Sequence, residues 1–264
     1  MDTVRSKDGT TIAFDRSGEG PALILVAGAT ATRLVEVSVA KHLAPYFTVF
    51  AYDRRGRGDS GDTLPYAIER EVEDIDALIT EAGGSAFVFG HSSGAALALE
   101  AARVLSNRIT KLALYEPPFI VDGSRPPVPA NYLSHLTDLI ASDRRGDAVE
   151  YFLIAAVGVP AEDVLNMRNA PMWGSLEAVA HTIVYDGTIM GDTMRGKPLP
   201  PERAASVSIP TLVMDGEASP VYMHHGARAL VNLLPNGQHR RLAGQNHGPA
   251  DDILVPVLVD FFKA

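Results

Sequence analysis

Three features of the chain predict an α/β architecture, a mostly parallel sheet with helices on both faces and a helical insertion. The runs Ala22-Leu23-Ile24-Leu25-Val26 and Phe47-Thr48-Val49-Phe50-Ala51-Tyr52 are almost wholly apolar, as strands covered on both faces are. Between such runs, apolar residues recur at helical spacing, for example at Ile68, Val72, Ile75, Leu78 and Ile79 before Gly83-Gly84. Third, the run Phe87-Val88-Phe89 stops at Gly90-His91-Ser92-Ser93-Gly94 and turns at once into an alanine-rich helix. Strand and helix alternate, which argues for parallel pairing.

Taken in order, Thr3–Ser6 and Thr11–Phe14 flank the turn Lys7-Asp8-Gly9 and form a hairpin. A buried strand at Ala22–Val26 runs into the small-residue loop Ala27-Gly28-Ala29-Thr30, and a helix is expected around Val35 to Leu43. The strand Phe47–Tyr52 exits into Asp53-Arg54-Arg55-Gly56-Arg57-Gly58-Asp59-Ser60, whose charges are read as local bracing of the loop. Leu112–Tyr115 is the next strand, ending at Glu116-Pro117-Pro118. Alternation then breaks: helical patterns occur at Tyr132–Ile140, Val149–Val157 and Leu176–Val184, with only a turn near Val164. It resumes with a strand at Pro210–Met214, a helix at Val221–Leu234, a strand at Gln238–Leu242 and a closing helix at Ile253–Phe262. Residues 1–118 and 205–264 are therefore expected to form the core, and 119–204 an inserted helical cap.

Composition narrows the function classes. With 264 residues, 46% of them hydrophobic, the chain can bury a sizeable core. A net charge of -9 provides no basic field for nucleic acid or an anionic membrane. The absence of cysteine removes disulfides, thiolate catalysis and cysteine-zinc sites. The polar opening Met1–Asp8 lacks the apolar core of a secretory signal, and no run is long enough to span a bilayer, so a soluble cytoplasmic protein is expected. The expected partner is a small-molecule substrate. Self-association is left open.

Gly90-His91-Ser92-Ser93-Gly94 is a G-x-S-x-G turn between a strand and a helix, the form of a nucleophile elbow. Both glycines give room for a strained serine backbone, and the Ser93 N–H, at the helix start, faces a developing oxyanion. Of the eight histidines, His42, His135, His181, His224 and His225 fall in predicted helices, His239 in a strand, and His91 beside Ser92 but turned from its hydroxyl. Only His247 lies in a loop after the last strand, on the sheet edge where the elbow opens. No H-E-x-x-H occurs, and the adjacent His224 and His225 point different ways on a helix, so neither metal nor cofactor is expected.

With Val26-Ala27-Gly28, Tyr52–Ser60, the Ser92 turn, a mid-chain helical insertion and His247 in this order, the chain resembles the α/β-hydrolase superfamily, in its serine-nucleophile, capped branch. The resemblance implies an eight-stranded, mostly parallel sheet and a Ser-His-acid triad. It also implies oxyanion N–H donors at Ser93 and, from the loop after the first central strand, Ala29 or Thr30. The family's commonest acid position, three residues after Gly216, holds Ser219. A hydroxyl cannot stabilise imidazolium by charge, and neutralising the acid in a serine protease costs about 10⁴ in turnover. Glu116, ending the strand after the elbow helix, is the preferred substitute, with Glu217 and then Asp215 as alternatives, or no acid at all. Phe119, Tyr132, Phe152, Met167, Met172, Trp173, Tyr185 and Met190 are the large apolar cap residues, and Met167–Trp173 are the ones expected to line a pocket, with Thr30 below. The expected activity is cofactor-free hydrolysis of a carboxylic ester or lactone of a small apolar compound. The rivals are C–C cleavage or a lyase reaction on the same triad, and a weakly catalytic ligand-binding member of the fold.

Overall fold

The computed structural model describes residues 1–264. Eight strands form one sheet in the order β1-β2-β4-β3-β5-β6-β7-β8: β1 (Asp2–Arg5), β2 (Thr11–Ser17), β3 (Ala22–Val26), β4 (Thr48–Tyr52), β5 (Ala86–His91), β6 (Ile109–Tyr115), β7 (Thr211–Gly216) and β8 (Gly237–Leu242). The hairpin β1–β2 and its junction with β4 are antiparallel, and every later pairing is parallel. The central strands β3, β5, β6 and β7 are the apolar runs, since they are covered on both faces. The edge strand β8 carries Gln238, His239, Arg240 and Arg241 in the open, which blunts edge-to-edge pairing.

One face of the sheet is covered by α1 (Val37–Leu43) and α10 (Asp251–Lys263). The other carries α2 (Ile68–Glu81), α3 (Ser93–Val104) and α9 (Val221–Leu233). Between β6 and β7 there are only helices: α4 (Tyr132–Ala141), α5 (Arg145–Tyr151), α6 (Ala161–Arg168), α7 (Trp173–Ala178) and α8 (Ile183–Met190), with short 3₁₀ turns. Their apolar faces merge with the core above α3.

Two local expectations change. The turn expected near Val164 is the helix α6, whose only buried residue is Val164, so it leaves no periodic apolar stripe to read. The helix expected over Val149–Val157 closes as a π turn at Phe152–Val157, where Gly158 N–H donates to the Leu153 carbonyl five residues back at 2.8 Å.

Candidate active site

Ser92 sits between β5 and α3 with φ 57° and ψ −128°, a conformation that a non-glycine residue holds only when its surroundings over-determine it. The flanking glycines are required by close approach. A Cβ on Gly90 would lie 2.6 Å from the Gly94 carbonyl oxygen, and one on Gly94 would lie 2.2 Å from that of Val26. Ser93 is the first residue of α3, so its N–H has no intrahelical acceptor.

Three side chains predicted from sequence meet here. His247 Nδ1 lies 2.7 Å from Glu116 Oε2, and its Nε2 lies 3.1 Å from Ser92 Oγ. A carboxylate can only accept, so Nδ1 carries the proton and the bare Nε2 accepts from the serine hydroxyl. The histidine side chain is 39% exposed and the glutamate fully buried. Glu116 turns out of β6 with φ 46°, which aims its carboxyl across the sheet edge. Burial acts to raise its pKa. The His247 ring, the neighbouring Ser219 hydroxyl and the Gly216 N–H, which donates to Oε1 at 2.7 Å, prevail and hold it below the usual carboxylate value.

The backbone of the histidine loop is pinned from beneath. His91 Nε2–H donates to the His247 carbonyl at 2.8 Å, and the Tyr115 hydroxyl to the Asn246 carbonyl. Burial and the nearby His247 push the His91 imidazole down to about 4, which keeps it neutral. His91 is thus turned from the Ser92 hydroxyl, and it supports the loop that carries His247.

The alternative acids lie elsewhere. Asp215 is buried among His224, His239 and Arg241, and Glu217 accepts from the Gly244 N–H at 2.9 Å. Ser219 is buried, and its hydroxyl makes no full hydrogen bond although it neighbours Glu116.

The arginine-rich turn after β4 reaches further than the local bracing expected of it. Arg54 pairs with Glu71 of α2, Arg55 with Asp74 of α2, and both Arg54 and Arg57 with Asp186 of α8, all within the core. Burial opposes ionisation of Asp186, but Arg57 and Arg54 hold its pKa below the ordinary value. Asp186 also accepts from the Ser93 hydroxyl at 2.8 Å. Arg57 Nη1 donates to the Gly28 carbonyl at 2.6 Å, and Arg54 Nη1 to the Ala27 carbonyl at 3.3 Å. In a trans peptide the N–H points opposite to the C=O, so the Gly28–Ala29 unit turns its Ala29 N–H away from Arg57. A Cβ on Gly28 would come within 3.0 Å of Ser92 Cβ, which measures how close this loop runs to the serine.

Two cavities meet at Ser92 and His247. The inner one, about 180 Å³, is walled by Tyr132, Phe152, Met190, Met194, Tyr222 and Met223, with Ala29 and Ser93 at its floor. The outer cleft, about 410 Å³, is bordered by Thr30, Val35, Glu36, Phe152, Leu153, His247, Pro249 and Asp251. Met167, Met172 and Trp173 line neither, which corrects the expectation for them. Met172 faces solvent, Met167 packs against the core, and the buried Trp173 donates from Nε1 to Glu177 at 2.9 Å. Thr30 does border the outer cleft, and Tyr132, Phe152 and Met190 of the wider apolar set border the inner cavity. Sequence reasoning missed Met194, Tyr222, Met223, Glu36 and Asp186 as site residues. Only the helical spacing of Asp186 and Met190 carried any signal, because both fall on the inward side of α8.

With this geometry the relationships to known proteins can be read. The model of the alpha/beta hydrolase family matches residues 23–253, and the chain belongs to that family. An alpha/beta hydrolase from Sphaerobacter thermophilus DSM 20745 is 56% identical, with a TM-score of 0.91 over 99% of this chain and 100% of that one. The chain is 37% identical over 111 residues to N-formylmaleamate deformylase of Pseudomonas putida, a match covering 41% of each protein. Matched stretches thus span about two fifths or less of the curated relatives' length. An enol-lactonase from Burkholderia xenovorans LB400 shares the fold at a TM-score of 0.71 and 19% identity, over all of both chains.

Proposed function

We propose that the chain is a serine hydrolase that cleaves a carboxylic ester or lactone of a small, largely apolar compound. Ser92 Oγ attacks the carbonyl carbon while His247 Nε2 takes its proton, and Glu116 stabilises the imidazolium that forms. The N–H groups of Ala29 and Ser93 receive the oxyanion. His247 then gives its proton to the leaving oxygen, an acyl group remains on Ser92, and water activated by His247 releases the acid. No cofactor has a step in this sequence. The helices of residues 119–204 act as a cap that keeps water from the inner cavity.

The observation that carries this reading is the unbroken relay from Ser92 through His247 to Glu116. The size of the inner cavity supports a small acyl group: about 180 Å³ is close to the apolar cavity of about 150 Å³ that takes benzene. Neither cavity is bordered by a lysine or arginine. A substrate carrying a carboxylate, such as the one named for the P. putida deformylase, would therefore lack a counter-ion.

The reading is tested with an activated ester of a small acid. A burst of alcohol release matching the enzyme concentration, and labelling of Ser92 by a fluorophosphonate, are expected; both should vanish in Ser92→Ala. Turnover without a burst or labelling would instead favour proton-shuttling C–C cleavage or lyase chemistry.

A further inference from the structure

Glu36 ends the 3₁₀ turn Arg33–Glu36 just before α1, and it borders the outer cleft that Ser92 and His247 share. The residue is 9% exposed, and its carboxylate makes neither a hydrogen bond nor an ion pair with any group of the protein. Arg33 in the same turn is committed elsewhere, to Asp15, Asp53 and Asp59. The groups around the cleft offer Glu36 no compensation. Asp251, at the start of α10, is a like charge engaged by Ser38 and 3.4 Å from His42. His91, on β5, spends its only N–H on the His247 carbonyl. Burial, and then Asp251, push the Glu36 carboxyl up to about 7. The rest of the cleft wall is mainly apolar, from Val35, Val39, Phe89, Leu153 and Leu254.

A carboxyl largely withdrawn from water and given no partner by the protein is costly, so a ligand that supplies one is favoured. The Glu36 carboxyl oxygens keep access to the outer cleft, where a positively charged hydrogen-bond donor would pair with them. The loop from His247 to Asp251 borders the outer cleft and not, beyond His247 itself, the inner cavity. His247 must protonate the leaving oxygen, so the leaving group lies on this side.

We propose that the outer cleft receives a leaving group bearing a protonated amine, which Glu36 binds through a charge-assisted hydrogen bond. The preferred substrate is thus an ester of a small apolar acid with an amino alcohol. This rests on the hydrolase reading above for the direction of the substrate, but the cleft's preference for an ammonium group is measurable without turnover. Glu36 discriminates among substrates, and the chemistry stays with Ser92 and His247.

The experiment compares 2-(dimethylamino)ethyl butanoate with its neutral isostere 3-methylbutyl butanoate at pH 7.5. Affinities are measured by calorimetry on Ser92→Ala and on Ser92→Ala/Glu36→Gln, with folding of each verified by thermal unfolding. The ammonium ester should bind the single variant about tenfold more tightly than the isostere, the ratio a charge-assisted hydrogen bond gives. In the double variant the ratio should fall to about one. Equal affinities in Ser92→Ala, or an unchanged ratio in the double variant, would overturn the proposal. Should Glu36→Gln not fold, the ratio in Ser92→Ala decides. If that ratio is high while the wild type turns over neither ester, the ammonium site stands and the hydrolase reading falls.

Discussion

Arg57 Nη1 holds the Gly28 carbonyl at 2.6 Å while its Nη2 holds Asp186 Oδ2 at 2.6 Å. One side chain therefore ties the loop beside Ser92 to α8 of the mid-chain helical segment. Asp186 Oδ1 in turn accepts from Ser93 Oγ. Both backbone donors proposed for the oxyanion thus rest on one buried ionic cluster.

Removing the charge of that cluster should be costly. Asp186→Asn keeps the shape but leaves Arg54 and Arg57 short of a counter-charge, and breaking a buried pair costs roughly 3–5 kcal/mol. A fall in thermal stability together with a fall in kcat is expected. Ser93→Ala removes one neutral-to-charged hydrogen bond, a loss of about 1.5–3 kcal/mol at most, and should be the milder variant in calorimetric unfolding. Equal stability of Asp186→Asn and wild type would contradict the role of the cluster.

The acid assignment ranks three variants. Glu116→Gln should lower kcat by about 10³–10⁴ with the fold intact, while Glu217→Gln should change it less than about tenfold, as befits a carboxylate that touches only a loop amide. Asp215→Asn should chiefly reduce stability, because it strips a buried acceptor from His224, His239 and Arg241. Steady-state kinetics showing Glu217→Gln as the more damaged enzyme would reverse the assignment.

Acid should weaken the fold through two neighbouring groups. His91 titrates at about 4 in the folded chain against 6.5 unfolded, so the unfolded state binds more protons in that window and stability falls as pH drops from 6.5 to 4. Glu116, held below the ordinary glutamate value of 4.5, contributes stability that is lost as pH falls through its folded value. In denaturant titrations His91→Gln should flatten the loss between pH 6.5 and 4, leaving the deeper loss that belongs to Glu116.

Glu36 works in the opposite sense. Its folded value of about 7 lies above the unfolded 4.5, so the folded state binds the extra proton and stability is lost as pH rises through 7. Glu36→Gln should therefore gain on wild type from pH 4.5 upward, reaching on the order of 1–3 kcal/mol above pH 7.5. A constant difference across that range would show that Glu36 is not the orphaned carboxyl. Stability gained where binding is lost is a common exchange at functional sites.

Much of the site was legible because its signals are local. Gly90 and Gly94 flank Ser92 between a buried run and a helical one, and that spacing alone identifies the turn. Glu116 was legible as the end of a strand adjacent to β5, since parallel strands deliver their carboxyl ends to one edge. The Met167–Trp173 expectation failed because apolar residues at helical spacing show that a helix has a buried face, without showing what that face meets. Met194, Tyr222 and Met223 border the cavity instead, and they approach it from a 3₁₀ turn and from α9.

By itself the sequence determined the alternation of strands and helices, the Ser92 turn, and the loop position of His247, since each depends on neighbours a few residues away. Only the tertiary structure decided which carboxylate meets His247, which residues wall the cavities, and that Glu36 is left without a partner. Those facts turn on separations such as the 131 residues between Glu116 and His247 or the 129 between Arg57 and Asp186. Burial and pairing at such range are set by how whole elements dock, and no local pattern records that.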